Sequence, residues 1–311
     1  MNQKKEYTYF AIDVAKSSLE VRTRQESFTL DNDPKGYARL VKRLAKTDHP
    51  MVVFEATGGY ERPLMGYLFT KSIALARINP TLVRAFARSE SIKAKNDRID
   101  AWMILRFAQE KRPEPAQAPD PDRQQMADLL DRRSHLSGQM AREKNRLQMA
   151  LPLTRKGIQR MIRFVERELI LIDREIESII ESNAQLKRQN DTLQAVKGVG
   201  AITAWSILAY LWEIDQLSRN QAVALVGLAP FDRDSATISK KRTIQAGRAK
   251  VRKCLFMAAQ SAAVHNPVIK AYVDRHRLRQ KPYKWLMTAA MRKLLIHIHS
   301  LLKNPEIALA S

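Results

Sequence analysis

The sequence predicts a mixed α/β domain followed by a helical region, so the predicted fold class is α/β plus α. Three observations lead to this prediction. Short apolar strands alternate with helical segments over roughly the first third of the chain, four prolines then interrupt the pattern, and long helical periodicities follow. A chain of 311 residues can form two or three domains. We expect the regions to be 1–115, 116–190 and 191–311.

The first region begins with three apolar runs, at 7–14, 19–24 and 27–30, which predict consecutive strands. The pattern then alternates, with helices near 36–45 and 63–71 and strands near 51–56 and 74–78. Three early strands followed by strand–helix units match an RNase H-like plan. Gly58 and Gly59 would supply backbone freedom directly after the 51–56 strand.

Four acidic residues in this region predict a metal site. Asp13 and Glu55 end two of the apolar runs, and Asp97 and Asp100 lie three residues apart at the start of a helical pattern. Side chains three apart share one face of a helix. Carboxylates packed together repel unless a cation neutralises them, and Mg²⁺ is a hard cation that binds oxygen ligands. The pattern therefore predicts a metal-dependent phosphodiester site.

A second interpretation of these acids stays open at this point. Acids at strand ends are often helix caps or solvated charges, and Asp97 could simply favour the N-terminus of its helix electrostatically.

The middle of the chain predicts a stiff linker and then long helices. Prolines at 113, 115, 119 and 121 exclude regular helix. Beyond them, apolar residues recur in steps of four and three, which is a heptad seam. We favour an intermolecular coiled coil, with Asn183 setting its register, over packing against a neighbouring helix at about 122–148. The seam consists of Ile158, Ile162, Val165, Leu169, Ile172, Ile176, Ile179, Asn183 and Leu186.

Gly198-Val199-Gly200 lies between two apolar helical segments, which is typical of a helix–hairpin–helix. Gly198 and Gly200 would allow close backbone approach, and the amides at the start of the following helix could hold a phosphate. A plain helical turn is the alternative, because Gly-x-Gly is common.

The charge balance indicates a polyanionic partner. Lys and Arg total 54 against 32 Asp and Glu, a net charge of +22, and residues 240–303 hold sixteen of these cations with one acid, Asp274. Nucleic acid is the favoured partner, with a membrane surface as the alternative. Trp285, within this block, is expected to be buried. The cations expected to bind nucleic acid are Lys240, Lys241, Arg242, Arg248, Arg252 and Lys253.

Other classes of protein are not favoured. No apolar run reaches the ~18 residues of a transmembrane helix, and the N-terminus lacks the apolar core of a signal peptide. Cys254 is the only cysteine, so neither an intramolecular disulfide nor a cysteine-based zinc site is expected. We expect a cytoplasmic protein of bacterial type, associated with the nucleoid and with no membrane contact.

Together these motifs resemble the insertion-sequence one-ten family of transposases, also called DEDD transposases, which are related to the Piv DNA invertase. The resemblance covers nearly the whole chain and keeps the order of the motifs. The matching segments are 11–16, 55–58, 78–80, 95–101, 198–200, 227–230 and the helical segment from 246 to 259. Two positions differ from the family pattern, which often has Thr at the place of Asn96 and Gly or Ser at the place of Ala236.

The resemblance implies a RuvC-like RNase H-fold domain, a coiled-coil insertion and a C-terminal transposase domain with a serine nucleophile. The quartet Asp13, Glu55, Asp97 and Asp100 would then bind Mg²⁺, with two ions in a complete site. The family serine falls on Ser235, counted from Leu228-Ala229-Pro230. The loop to Gly247 is slightly short, which leaves Ser239 as an alternative.

The resemblance also implies partners that no residue reveals. These are donor and target DNA, a structured guide RNA encoded by the element (a bridge RNA), and further copies of the chain in a dimer or tetramer. Two other functions stay open. One is a structure-selective nuclease resembling Holliday-junction resolvases, with water as the nucleophile, and the other is a non-catalytic DNA-binding protein.

Overall fold

The computed structural model describes residues 6–56, 58–90, 97–118, 120–231, 243–244 and 247–304. The chain divides into two compact units, Met1–Ala118 and Pro119–Ser311, which we call unit 1 and unit 2. The boundary that was predicted near residue 190 lies inside unit 2, where one apolar core runs continuously from Met126 to Leu302.

Unit 1 is built on one mixed five-stranded sheet. Its strand order is β3-β2-β1-β4-β5, with β1–β2 and β2–β3 antiparallel and with β4 and β5 parallel to β1. This sheet confirms the prediction of a mixed α/β region. The strands are β1 (Thr8–Val14), β2 (Ser18–Arg22), β3 (Ser27–Asp31), β4 (Pro50–Glu55) and β5 (Ala74–Ile78).

Helices cover both faces of the sheet, because successive strand residues point to opposite sides. Phe10, Ile12 and Val14 of β1 pack with helices α1 (Pro34–Leu44) and α2 (Arg62–Thr70). Ala11 of β1, between them, packs on the other face with α3 (Pro80–Ser89) and α4 (Asp97–Lys111). Unit 1 therefore has three layers, helix–sheet–helix.

Helix α3 was not predicted from the sequence, in which Asn79-Pro80 directly follow the strand expected near 74–78. The structure shows that the same two residues also begin a helix. The Asn79 side chain accepts a hydrogen bond from the Thr81 backbone amide, and Pro80 stands in the first helical turn. Proline suits that position, because its missing N–H would have no helical partner there.

The described residues of unit 2 are helical apart from one short strand pair, β6 (Pro230–Phe231) with β7 (Thr243–Ile244). None of the helices in the described parts of the chain combines the length and the apolar character needed to cross a bilayer. The helices are α5 (Pro121–Gln148), α6 (Pro152–Ser182), α7 (Ala184–Gln194), α8 (Ala201–Tyr210), α9 (Arg219–Val226), α10 (Ala249–His265), α11 (Pro267–Leu278) and α12 (Tyr283–Lys303).

The heptad seam is covered from within the chain, which corrects the favoured interpretation of an intermolecular coiled coil. Leu169 and Ile172 of α6 belong to the same core as Met126 and Leu136 of α5. The two helices form an antiparallel hairpin. Its flank carries the bidentate ion pair of Arg133 with Asp173, at 2.6 and 3.0 Å. A heptad pattern predicts an apolar seam but does not identify the helix that fills it.

Asn183 also differs from its predicted role. Helix α6 ends at Ser182, and the Asn183 side chain accepts hydrogen bonds from the amides of Gln185 and Leu186 as the N-cap of α7. Its amide nitrogen donates to Asp122 Oδ2 at 2.8 Å. Asn183 therefore breaks the seam into two helices instead of setting the register of one.

Candidate functional site

Asp13 and Glu55 lie side by side at the ends of two neighbouring strands. The parallel strands β1 and β4 pair Ile12 with Phe54, so the next residue on each strand is one of the two acids. Ala11 and Val53, two positions earlier, belong to the core under α3 and α4. Because strand side chains alternate with a period of two, both acids belong to that same face of the sheet.

Helix α4 packs on this face, and the chain just beyond its end reaches the start of β5, where the Ala116 amide donates to Leu75 O at 2.7 Å. Residues of α4 from Trp102 to Gln109 line a cavity of about 990 Å³ together with Tyr7 and Tyr9, at the beginning of β1. From Tyr9 to Asp13 the strand rises by ~13 Å, and from Gln109 back to Asp100 the helix rises by ~13 Å. The start of α4 therefore lies at the edge of the sheet where Asp13 and Glu55 end their strands.

The helical period indicates which face of α4 carries positions 97 and 100. Ala101, Ile104 and Ala108 of α4 are buried in the core against the sheet. Positions 97 and 100 precede Ala101 and Ile104 by four residues, so they lie on the same stripe of the helix. The strand register makes Asp13 and Glu55 neighbours, and the meeting of all four positions in one site stays a prediction.

Among the described side chains, no group of three or more His, Cys, Asp or Glu is close enough to hold a metal ion. Asp13, Glu55 and Asp100 each take part in a polar or electrostatic interaction, and the side chain of Asp97 is outside the described residues. The all-oxygen chemistry of the four residues fits Mg²⁺, and the metal site stays a prediction.

A buried acid that the sequence analysis missed, Glu61, holds the loop after Glu55. Its side chain is fully buried, with Oε1 2.9 Å from Arg77 Nη2 of β5. Its Oε2 accepts a hydrogen bond from the Gly59 amide at 2.9 Å. Gly58 and Gly59 have φ of 61° and 107°, so the predicted need for glycine here is confirmed. The hydrogen bond from the Gly59 amide to this charged carboxylate is worth roughly 1.5–3 kcal/mol.

Asn32, also missed, joins the two loops next to the strand-end acids. Its side-chain amide donates to the carbonyl oxygens of Ala15, beyond β1, and of Tyr60, beyond β4, at 2.8 and 3.3 Å. Its Oδ1 accepts a hydrogen bond from the Tyr37 hydroxyl at 2.6 Å. An Asn-Asp pair in a turn is ordinary in a sequence, so no local signal distinguished this residue.

In unit 2 the predicted Gly-x-Gly turn connects α7 to α8. Gly198 has φ of +101°, and a Cβ on it would lie 2.7 Å from Ala262 Cα of α10. Gly198 thus allows two segments to pack closely. Gly200 is exposed and precedes α8 with no side-chain cap. The prediction that the amides there donate hydrogen bonds to a phosphate stays a prediction.

The prediction that Arg248 and Arg252, at the start of α10, bind nucleic acid requires a correction. Arg248 donates to Tyr210 O at 2.6 Å and to Glu213 Oε2 at 2.7 Å, and Arg252 donates to Val226 O at 2.9 Å. Both arginines therefore have partners within the protein, and these contacts account for cations at a helix N-terminus without a phosphate. Lys253 is exposed.

Neighbouring side chains extend this polar network to α5. Lys250 forms an ion pair with Asp131, and the Tyr210 hydroxyl donates to Asp131 at 2.6 Å. Burial and the Asp131 carboxylate both raise the pKa of the Tyr210 hydroxyl, so it stays a donor. The network ties α5, α8 and α10 together.

Strands β6 and β7, which pair with each other, flank the segment of the sequence that contains Ser235 and Ser239. Next to these strands, the backbones of Gly247 and Gly227 are in contact. A side chain on Gly247 would not fit, because its Cβ would lie 2.4 Å from Gly227 N. Ser235 and Ser239, together with Lys240, Lys241 and Arg242, are outside the described residues.

Two family models match the chain. A DEDD transposase model, described as a transposase, matches residues 10–155, and a model described as transposase IS116/IS110/IS902 family matches residues 190–274. The chain is also similar to the pilin gene-inverting proteins of Moraxella lacunata and Moraxella bovis. Each is 24% identical over 310 residues, which is 96% of this chain and 96% of the relative.

Proposed function

Because the chain belongs to the IS116/IS110/IS902 family of transposases, we propose that it recombines DNA with an acidic quartet and a serine nucleophile. The family itself implies that DNA is cut and rejoined. The observation that carries the finer proposal is that Asp13 and Glu55 end neighbouring parallel strands on the face of the sheet that α4 covers. The strand order β3-β2-β1-β4-β5 supports a RuvC-like RNase H fold for unit 1.

In this proposal Asp13, Glu55, Asp97 and Asp100 hold Mg²⁺, two ions in the complete site. Bound there, Mg²⁺ would supply charge stabilisation for the attacking and leaving oxygens of a phosphodiester. The protein contributes the placement. Two rigid strand ends fix Asp13 and Glu55, and the hydrogen bonds of Asn32 and the buried Glu61 hold the adjoining loops.

Ser235 is the proposed nucleophile. Attack of its Oγ on a DNA phosphorus would form a phosphoserine ester and release the oxygen of the broken strand as a hydroxyl. A serine hydroxyl needs activation to react in this way. The ester would retain the phosphodiester bond energy for rejoining, which suits recombination better than hydrolysis by water. Ser239 is the alternative nucleophile in the same loop.

The proposed partners are donor and target DNA together with a structured guide RNA. The net charge of +22 suits both kinds of nucleic acid. The relatives are described as gene-inverting proteins, so DNA inversion is a reaction of the same type that this chain could carry out.

The proposed assembly is a homo-oligomer, a dimer or tetramer, that uses a face of α6 left uncovered by α5. Met161, Phe164 and Leu171 are 51%, 48% and 50% exposed. They recur three and seven residues apart, which places them on one stripe of the helix. Each lies one residue before a seam position, about 100° around the helix from the covered seam.

Replacing Phe164 and Leu171 together by Glu is expected to lower the oligomer mass in light scattering while the thermal melting temperature changes little. The matched pair, Leu169→Glu with Ile172→Glu, falls on the covered seam and is expected to unfold the hairpin, since truncating one such core residue already costs about 2–5 kcal/mol. A folded Phe164→Glu, Leu171→Glu protein with unchanged mass would assign oligomerisation to another surface.

The proposed function is tested with purified protein, paired donor and target DNA, and RNA transcribed from the DNA that flanks its gene. We expect Mg²⁺-dependent exchange of strands, loss of exchange on chelation, and a protein–DNA adduct on denaturing gels. Free cleaved ends without an adduct would favour the structure-selective nuclease instead. Binding without any strand cleavage would favour a non-catalytic DNA-binding protein.

A further inference from the structure

The first turn of α12 exposes two aromatic side chains. Trp285 is 43% exposed and Tyr283 is 54% exposed. The sequence-based expectation that Trp285 is a core residue is therefore wrong. The buried face of this helix begins one residue later, with Leu286 and Met287. Large aromatic side chains are mostly buried, so exposure of two in one turn indicates a contact surface.

Trp285 is the outer member of a row of rings that spans α11 and α12. The Tyr272 and His276 rings have centroids 4.5 Å apart, and the His276 and Trp285 rings have centroids 5.2 Å apart. The interplanar angles are 43° and 35°. Because each ring supports the next, Trp285 is fixed in orientation and exposed at the same time.

Cations surround this row. Residues 270–293 hold eight Lys or Arg and a single acid, Asp274, whose carboxylate is hydrogen-bonded to Arg277 at 3.3 Å. Lys293 Nζ lies 4.6 Å from the Tyr272 centroid, and Lys281 Nζ lies 5.8 Å from the Trp285 centroid. The surface is therefore aromatic and strongly positive.

The same cations influence the protonation of His276, the central ring of the row. Burial lowers the pKa of His276, and Arg279, Arg275, Lys281 and Lys293 lower it further. His276 is thus neutral at pH 7 and adds no charge to the patch.

We propose that the α11–α12 turn is a binding site for unpaired nucleotides, with a base stacked on Trp285 and the adjoining phosphates held by Lys281 and Arg279. The aromatic face favours a single strand, because the bases of a duplex are already stacked on one another. The proposal rests on the proposed function only in taking nucleic acid as the partner. The acidic quartet and the serine play no part in it.

A lipid surface fits the patch less well. Interfacial binding needs a broad apolar face. Around this turn Leu278 is the one large aliphatic side chain that the described residues expose, at 87%, and cations occupy the sequence on both sides of it. The rings and charges together match the alternating bases and phosphates of a single strand.

The test compares binding of the full-length protein to labelled dT12, U12 and a 12-base-pair duplex, in chelator so that no strand is cut. Trp285→Leu keeps apolar bulk without a ring, and Trp285→Phe keeps a ring. We expect Trp285→Leu to weaken both single strands about tenfold, Trp285→Phe to stay within about threefold, and the duplex to change less than twofold. Preference for dT12 or U12 would distinguish DNA from RNA as the natural occupant.

A second variant keeps the proposal testable if Trp285→Leu is unstable. Lys281→Ala is expected to reduce the salt dependence of single-strand binding by about one released ion, whereas Trp285→Leu leaves that slope unchanged. Equal loss with Leu and with Phe, unchanged single-strand binding, or a loss seen only with phosphatidylglycerol vesicles would each overturn the site. None of these outcomes affects the acidic quartet, whose failure would appear as strand cleavage by Asp13→Asn with binding unaltered.

Discussion

Replacing Asp13 with Asn, or Glu55 with Gln, is expected to lower strand cleavage by at least about a hundredfold to a thousandfold. Each change removes one negative charge from the edge of the sheet where β1 and β4 end together with the start of α4. The substituted side chains keep their size, so the core beneath them stays packed. Binding of nucleic acid, which depends mainly on the cations, is expected to change little. The measurement is single-turnover cleavage in Mg²⁺.

A matched control is Glu26→Gln in the same unit. Glu26 is an exposed acid that pairs with Arg43 at 2.9 Å, and it lies outside the quartet. Its replacement should leave cleavage within about twofold of wild type, because exposed ion pairs contribute little. Asp97→Asn and Asp100→Asn should behave like Asp13→Asn. Normal recombination by Asp13→Asn or Glu55→Gln would remove the quartet from the mechanism.

Replacing Ser235 with Ala is expected to abolish the covalent protein–DNA adduct completely while binding of metal and nucleic acid persists. The reason is chemical, since alanine has no oxygen with which to form the phosphate ester. Ser235→Cys is expected to retain a small fraction of the adduct, because a thiolate is also a nucleophile. Labelled DNA on denaturing gels, followed by peptide mapping, measures both outcomes.

Two further variants decide between the candidate serines. Ser239→Ala should leave the adduct intact if Ser235 attacks, and it should abolish the adduct if the roles are reversed. Ser261→Ala, at an exposed position of α10, is the control for loss of a serine hydroxyl in unit 2. An adduct that survives in both Ser235→Ala and Ser239→Ala would exclude the loop as the source of the nucleophile.

The sequence by itself determined the features that depend on local pattern. Short apolar runs predicted the strands of unit 1, and the residues that end two of those runs, Asp13 and Glu55, are neighbours in the sheet. Gly58 and Gly59 were predicted correctly because a positive φ selects glycine wherever it occurs. The motif order was sufficient to identify the family, which the matched family models confirm.

The tertiary structure alone decided which partner each side chain meets. The seam of α6 is covered by α5, Arg248 pairs with Glu213, and Trp285 is exposed beside His276. A helical period reports that a face is apolar, and a net charge reports that cations are in excess. Neither reports what lies opposite, because contacts between residues distant in sequence depend on how whole helices pack. For the same reason the burial of Glu61 against Arg77 has no local signal in the chain.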